Sequence, residues 1–526
     1  MRIIGIAAGM AVALASGLSA KAASSDTWFS CDGKPKPGSA QALGSRLVRS
    51  GLLRMPAGAS GPQQASGSPA VAACTEVLAD PALAKSWERR IGVLHARAAN
   101  YADLGNLDAA MADLAAAREA SAAGAGDVWF ARSTALATDI LEAGVLARQG
   151  RTQAAETLAV AASDARPYSL GVAGAAARIL LVDPSWSSEE DRVLTRLVAL
   201  EPRGLRLRAA ARDWSPLADP AASDWLLVNV LEEEKGARLA KRLANIPEAA
   251  HMTPPPDREA WAGAAYALLR ADRADEARAF AARLAAPPTP PPNTRPGSFV
   301  DFTYERTKHH ATVINAALAA REGRLDEAQA LIKDQKVFPV SLVTLDLLGR
   351  LKEAGLHEAK VDADAARSAL REQNARELKA VELLKLVPPA ESGVRANVYD
   401  GQGGAGLDTT GFKDRAAPGG EGRWIEFAGG GATSGAVSEM MLMRAAELAR
   451  ASGKPGFIIV ERTDGERQRH VYSAYGETVT PIGFQSEALV EFVDPAALPA
   501  PHARHPERVL MADKVWSDLA PLYTKN

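Results

Sequence analysis

The sequence predicts a mostly α-helical protein in which stacked helix pairs form a superhelix and are followed by a small α+β domain. Three observations lead to this fold class. Small and apolar residues recur at fixed offsets around single glycines; aromatic residues make up only 5% of the 526 residues, while alanine is abundant; and glycine, proline and polar residues replace the alanine-rich pattern after residue 386. A helix pair buries its apolar stripe only against its neighbours, so the pairs are expected to stack.

The repeating pattern is clearest between Leu94 and Ala122, where the sequence predicts two short helices packed against each other. Gly105 stands between them, at a turn whose backbone conformation glycine adopts without steric cost. Alanine lets the two backbones approach closely, and leucine and tyrosine fill the remaining space. The residues expected at this contact are Leu94, Ala98, Tyr101, Ala110, Leu114 and Ala117.

The same spacing returns at three further places in the chain. A generic alanine-rich helical chain would not keep glycine and alanine at one spacing in four places, so a repeat architecture is favoured. The residues assigned to these further units are Gly150 and Ala155; Trp261, Ala265 and Ala277; and Gly323 and Ala328.

The four units resemble the tetratricopeptide repeat (TPR), a helix–turn–helix unit of about 34 residues. Together they define a helical domain at 70–386. The resemblance implies an α–α solenoid with an extended concave face that binds a protein or peptide. Residues 168–250 keep amphipathic helical stripes with a weaker repeat signature, so the number of units there stays open.

The first 22 residues have the three-part pattern of a secretory signal peptide. Arg2 precedes an apolar run over residues 3–18, and Ala20-Lys21-Ala22 supplies the small residues typical of a cleavage site. The run is shorter than the roughly 20 residues that a membrane-spanning helix needs. We therefore expect a chain that begins near Ala23 and is released into the periplasm.

The chain has two cysteines, Cys31 and Cys74. In an exported protein an even count favours a disulfide bond. Cys31 as a lipid-attachment site is disfavoured, because the bulky residues at 28–30 precede it. Residues 23–69 are rich in Gly, Pro and Ser and are interpreted as a loop-rich segment that the disulfide would tie to the first repeat.

Two further stretches of the helical domain have a distinctive composition. The run at 287–297 contains six prolines and predicts a stiff, extended connector. Residues 356–386 predict a long helical stretch with alternating charges, which usually indicates a solvated face.

Residues 387–422 are interpreted as a Gly/Pro-rich linker. Residues 401–406 formally match the GxGxxG pattern of dinucleotide-binding loops. That motif requires an apolar strand before the glycines and a helix directly after them. Neither is predicted here, so no cofactor is expected.

Residues 423–526 predict a small α+β domain, and 100 residues is a common domain size. Alternating or continuous apolar runs indicate the strands, and a period of 3.6 residues indicates the helices. Strands are expected at 424–427, 457–460, 471–475 and 488–493, and helices at 436–452 and 506–519.

The beginning of this domain shows a second resemblance. Ser434, the run MLMRAAELA at 441–449, Gly453 and the strand FIIVERTD resemble a family of small proteobacterial envelope lipoproteins. The resemblance carries no catalytic residues over. Arg444 and Glu447, three residues apart on the predicted helix, are expected to form a local ion pair.

The sequence predicts neither catalytic residues nor a metal site. His309 and His310 are adjacent on a predicted helix and point in different directions. His502 and His505 lie among prolines and are interpreted as a surface loop. The formal net charge of −2 gives no reason to expect a nucleic-acid partner.

Two functions remain open at this stage. The first is a periplasmic, non-catalytic scaffold that binds a protein or peptide partner in the cell envelope through its repeats. The second is an envelope enzyme with its active site in residues 423–526. The first is favoured because no cluster of titratable residues is apparent in the sequence.

We expect the linker to let the C-terminal domain reorient, and a fragment ending near Pro388 to retain partner capture.

Overall fold

The computed structural model is mostly helical and ends in a region that contains an antiparallel sheet. It describes residues 22–37, 64–183, 188–201, 265, 268–269, 274–285, 299–333, 342–356, 363–387, 411–417, 422–429, 433–473, 476–499, 502–503 and 506–524. Within these residues, no helix combines the length and apolar character needed to cross a membrane.

The N-terminal segment contains more structure than its composition predicts. Helix α1 (Ser25–Asp32) begins at Ser24, whose side chain accepts a hydrogen bond from the backbone of Thr27, and ends at Gly33 in a left-handed conformation. Its apolar face packs on helix α2 (Ser68–Leu78). The interpretation of residues 23–69 as loop-rich is therefore wrong for 25–32, because Trp28 and Cys31 supply a small apolar core.

The predicted pairing of the cysteines is confirmed by their distance. The Cys31 and Cys74 sulfur atoms are 2.13 Å apart and join α1 to α2. Both side chains are fully buried.

Six helices follow as three consecutive pairs. Within each pair the two helices contact each other, and the second helix contacts the first helix of the next pair. A π-helical turn, Ala131–Ala135, leads into the second pair. The pairs are α3 (Trp87–Asp103) with α4 (Leu107–Ser121), α5 (Leu136–Arg148) with α6 (Thr152–Ala165), and α7 (Leu170–Leu180) with α8 (Ser188–Leu200).

Further helices continue the helical part to residue 386. They are α9 (Ala274–Ala285), α10 (Phe299–Arg321), α11 (Leu325–Ile332), α12 (Leu342–Glu353), α13 (Ala363–Glu377) and α14 (Ala380–Leu386). The predicted proline-rich connector at 287–297 lies outside the described residues. The stretch predicted as one long solvated helix is two helices, and α14 buries Ala380 and Leu383, because a second apolar surface covers it.

The contact between α3 and α4 tests the repeat spacing directly. Ala110 is fully buried in α4, so Ala110→Leu is expected to overpack the contact and destabilise the chain by about 1–3 kcal/mol. Thermal unfolding measures this. Ala115→Leu in the same helix is the control, since Ala115 is exposed. Equal melting temperatures for the two variants would contradict the assigned contact.

The C-terminal region is a five-stranded antiparallel sheet with helices packed on it. The strand order is β1-β2-β4-β3-β5, and helix α15 contacts β2, β3 and β4 and also α16. The elements are β1 (Gly411–Ala416), β2 (Arg423–Gly429), α15 (Ser434–Ala451), β3 (Gly456–Ser473), β4 (Gly476–Val493), β5 (Leu510–Met511) and α16 (Ala512–Tyr523).

Three boundaries differ from the sequence-based ones. Strand β1 lies inside the predicted linker, where its backbone pairs with β2 despite a turn-rich composition. The run at 457–460 and the described part of the run at 471–475, residues 471–473, belong to one continuous strand, β3, which pairs with β4 through two register irregularities. The last helix starts at Ala512, after a short turn at Pro506–Arg508. The glycine-rich motif at 401–406 lies outside the described residues.

Candidate functional site

The residues assigned to helix contacts from the sequence are in the interior wherever the structure describes them. Tyr101 is partly buried and packs against the main core. Gly105, Gly150 and Gly323 have φ angles of 85°, 75° and 78°, which favour glycine. The buried residues are Leu94, Ala98, Ala110, Leu114, Ala117, Ala155, Ala265, Ala277 and Ala328. Trp261 lies outside the described residues.

The candidate site is a surface made by α3, α5 and α7, the first helices of the three pairs. Helix α14, which comes much later in the chain, contacts all three. Leu378, Ala380, Leu383 and Val387 are buried there in the same core as the repeat helices. We call the face of α3, α5 and α7 that contacts α14 the α14 groove.

Two glycines let α14 approach the groove closely. A Cβ atom on Gly171 would overlap the backbone oxygen of Leu386, and one on Gly144 would lie 2.7 Å from a methyl carbon of Leu383. Gly144 is inside α5, where glycine costs about 1 kcal/mol relative to alanine, and Gly171 is the second residue of α7. The Leu383 side chain is able to rotate away, whereas the backbone at Leu386 has to move as a whole. Gly171 therefore matters more for the seating of α14.

Polar contacts fix the beginning of α14. The Asp103 carboxylate accepts hydrogen bonds from the backbone N–H groups of Ala380 (2.7 Å) and Val381 (3.3 Å). The first N–H groups of a helix have no partner within the helix, and a negative charge is favourable at this end. Arg148 pairs with the same carboxylate at 3.2 Å. These contacts recognise the backbone of a helix and are independent of its side chains.

Residues ahead of α14 attach it to the end of α7. The Asn374 amide donates hydrogen bonds to the carbonyl oxygens of Leu181 (3.1 Å) and Val182 (3.4 Å). Arg371 forms an ion pair with Asp183 at 3.0 Å. Both residues belong to α13, so the segment 371–387 is held through α13 as well as through α14.

Free space remains on both sides of α14. A cavity of about 320 Å³ lies between α14, α3 and the N-terminal segment, and one of about 310 Å³ lies between α14 and the end of α7. The groove is therefore wider than the helix that occupies it. Residues lining the first cavity include Lys34, Glu88, His95, Thr134 and Leu384, and residues lining the second include Arg178, Leu181 and Glu382.

His95 is the one histidine that lines the first of these two cavities. Its Nε2 lies 2.8 Å from the Thr138 hydroxyl oxygen. Burial, and secondarily the charge of Lys34, lower the pKa of His95 to about 3. At neutral pH the imidazole is therefore uncharged and adds no cation to the lining of the cavity.

A buried charge cluster joins the helical part to the C-terminal region. Glu439 of α15 is fully buried. Its carboxylate accepts hydrogen bonds from Arg166 (2.9 and 3.2 Å), Arg132 (2.8 Å) and the Tyr523 hydroxyl (2.6 Å). The π-helical turn carries Arg132 and the end of α6 carries Arg166. Burial opposes the charged form, yet the charges of Arg166 and Arg132 hold the pKa of Glu439 below its usual value.

Other contacts extend this interface. The buried Arg462 guanidinium donates a hydrogen bond to the carbonyl oxygen of Leu200 (3.1 Å), and Tyr168 donates one to Asp518 (2.7 Å). Trp129 lies edge-on to Tyr523 with ring centres 5.3 Å apart. The expectation that the C-terminal domain reorients freely is therefore wrong, because the two parts share one hydrophobic core and a buried ion cluster.

The remaining sequence-based candidates have ordinary partners. Arg444 and Glu447 form the predicted ion pair at 2.6 Å, and Arg444 also pairs with Asp414. His502 lies 2.8 Å from a Glu491 carboxylate oxygen. Over the described residues, no three His, Cys, Asp or Glu side chains come together as a metal site would need. His505 lies outside them.

Sequence reasoning missed both the α14 groove and the Glu439 cluster. Two signals were present. Glu439 is the one charged residue among residues 434–443 of α15, and glycines stand inside α5 at Gly144 and in the first turn of α7 at Gly171. Neither signal indicates which distant segment of the chain contacts these residues.

No protein-family model and no curated protein matches this chain.

Proposed function

We propose that this chain is a periplasmic, TPR-like scaffold that holds a helical segment of a protein or peptide partner on its repeats and catalyses no reaction of its own. The observation that carries the proposal is the seating of α14 across α3, α5 and α7. A groove that already holds one amphipathic helix has the shape and polarity for another. Helix-in-groove binding is a recurring mode of peptide recognition.

The contacts to α14 describe the partner that would fit. To bind Asp103, a partner needs only the unpaired backbone N–H groups at the start of a helix. To fit against Gly171, it needs only a helical backbone that approaches closely. Side-chain selectivity comes from a small residue at the position of Ala380 and a leucine three residues later, at the position of Leu383. The cavities on either side leave room for larger side chains at the neighbouring positions.

The C-terminal region would brace the scaffold. Its buried charged groups both contact the helical part, Glu439 through Arg166 and Arg462 through the carbonyl oxygen of Leu200, which supports a structural role for them. The expected behaviour of fragments changes accordingly. A fragment ending near Pro388 would keep the α14 groove but expose Trp129, Tyr168 and Leu200, which pack against the C-terminal region, so we expect it to be less stable than the whole chain.

Export to the periplasm is part of the proposal. It is supported by the signal-peptide pattern of residues 1–22 and by the paired cysteines, since disulfide bonds persist in oxidising compartments.

A labelled peptide of residues 376–389 tests the groove. In the intact chain the tethered α14 competes for the groove at an effective concentration on the order of millimolar. Leu383→Asp places a charge where leucine is fully buried and should release α14. The apparent affinity of the variant for the wild-type peptide is therefore expected to exceed that of the unmodified chain by about tenfold or more, measured by fluorescence anisotropy.

Three controls accompany this measurement. Leu383→Ala is a milder change. If it leaves α14 partly docked, it should raise the affinity of the chain for the peptide less than Leu383→Asp does. A peptide that itself carries Leu383→Asp should not bind. Adding Gly171→Ala to the Leu383→Asp chain should abolish binding, because the new Cβ occupies the space of the bound backbone. If the unmodified and variant chains bind the peptide equally, or neither binds it, the groove is not a helix-binding site.

A further inference from the structure

The carboxylate of Asp80 is the centre of a small buried site at the N-terminal end of the structure. Its Oδ2 accepts hydrogen bonds from the backbone N–H of Ala23 (2.9 Å), the Trp28 indole N–H (3.2 Å) and the Lys36 ammonium (2.8 Å). Its Oδ1 accepts one from the backbone N–H of Ala82 (2.8 Å). Asp80 is only 4% exposed.

The chain enters this site at one residue. Ala22 is exposed, whereas Ala23 is 3% exposed and packs with Trp28 and the Cys31–Cys74 disulfide in one small core. The bond between Ala22 and Ala23 therefore joins an exposed residue to a buried one. It is also the bond that follows the small-residue pattern Ala20-Lys21-Ala22.

We propose that Asp80 is a receptor for the α-ammonium group that appears on Ala23 when the Ala22–Ala23 bond is hydrolysed. Water supplies the hydroxyl of a new carboxyl group on Ala22 and a hydrogen for the Ala23 nitrogen. The proton given up by the carboxyl group then converts the amine to an ammonium, which is the stable form at neutral pH. The nitrogen that donates one hydrogen bond as an amide then carries a full positive charge beside a buried carboxylate.

The charges around Asp80 are compatible with the replacement of the Ala23 amide by an ammonium group. Burial opposes the charged form of Asp80, and the hydrogen bonds from Lys36, Ala82 and Trp28 hold its pKa below the usual value. The carboxylate is thus ionised when the ammonium arrives. The Lys36 ammonium also donates a hydrogen bond to the carbonyl oxygen of Ala23 (3.1 Å), and its side chain is 22% exposed and reaches water.

The consequence is a fold that is completed by export. The ionised Asp80 carboxylate already makes the hydrogen bond from the Ala23 N–H charge-assisted, and an ammonium adds an opposite charge on the donor side. Removal of the leader would strengthen the Ala23–Asp80 contact, and oxidation would close the neighbouring Cys31–Cys74 bond. Both changes stabilise the same small core, through which α1 packs against α2 and α3. A chain that still has its leader would lack the first of them.

The test compares two oxidised chains, one starting at Ala23 and one starting at Ala22, each released from a tag without extra residues. The unfolding equilibrium constant of the Ala23 chain is expected to be at least about tenfold smaller, which corresponds to about 1.4 kcal/mol. In the Asp80→Asn background this difference should disappear, and in the Asp26→Asn background, where the aspartate is an exposed residue of α1, it should persist.

A second measurement covers the case in which Asp80→Asn does not fold. Acetylation of the Ala23 amine in the wild-type chain removes the charge and should return the stability to that of the Ala22 chain. N-terminal sequencing of the protein from its native envelope should find Ala23. A different mature N-terminus, or equal stability of the free and acetylated Ala23 chains, would overturn the proposal.

Discussion

Glu439→Gln is expected to destabilise the folded chain by about 3–5 kcal/mol, because it leaves two arginines in the interface without their counter-charge. Arg166 is fully buried and Arg132 is largely so, and neither is able to recover its hydration without separating the two parts of the molecule. Chemical denaturation of the purified variant measures the loss. We expect the helical and C-terminal parts to lose their shared core together.

Glu447→Gln is the matched control for this variant. Glu447 is on the same helix, but its carboxylate is 39% exposed and pairs with Arg444 near the surface, where an ion pair contributes about 0–1 kcal/mol. If the two variants are equally stable, the Glu439 cluster does not hold the interface together.

The pH dependence of stability gives an independent check on Glu439. Its pKa is lower in the folded chain than the usual value of 4.5. A lowered carboxylate pKa adds stability that is fully present above pH 4.5 and is lost as the pH falls through the folded-state pKa. The difference in unfolding free energy between wild type and Glu439→Gln should therefore be constant at neutral pH and shrink in acid.

Loss of the Cys31–Cys74 bond is expected to have the second large effect. The cysteines are 43 residues apart, and closing a loop of this size stabilises the folded state by about 4 kcal/mol in the loop-entropy model. Reduction should lower the melting temperature, and protein taken from the periplasm should not react with thiol reagents until it is denatured and reduced.

The control for reduction is the double variant Cys31→Ser/Cys74→Ser. The chain has no other cysteine, so a reducing agent should leave the stability of this variant unchanged. Rapid labelling of both thiols in native protein from the periplasm would contradict the prediction. Equal stability of the oxidised and reduced wild-type chain would show that the N-terminal segment is held by its apolar core alone.

In the two proposals, the Asp80 site acts when the leader is removed and the α14 groove acts later, when a partner binds. The Asp80 site and the disulfide stabilise α1 and α2 against α3. Helix α3 in turn provides Asp103, which caps α14 and which we propose would cap a partner helix in its place. A chain with a weakened N-terminal core is therefore expected to present a less well ordered groove, although the contacts of the two sites are made by different residues.

Local pattern was enough to predict the helix pairs. The spacing around Gly105 and Gly150 reflects contacts between helices that are adjacent in sequence. Such contacts produce a periodic pattern of small and apolar residues. The even cysteine count and the leader pattern likewise indicated the bond between Cys31 and Cys74. The sheet was predicted less well, because strand pairing joins distant segments. Strand β1, in a glycine-rich stretch, owes its conformation to pairing with β2.

By itself, then, the sequence determined the helix pairs around Gly105 and Gly150, where the composition changes and which cysteines pair. Only the tertiary structure decided that α14 fills the groove and that Glu439 meets Arg132 and Arg166. The physical reason is that an apolar stripe or a charged residue specifies the kind of surface that must cover it and not the identity of that surface. Several distant segments satisfy the same requirement, and the choice among them is made when the whole chain packs.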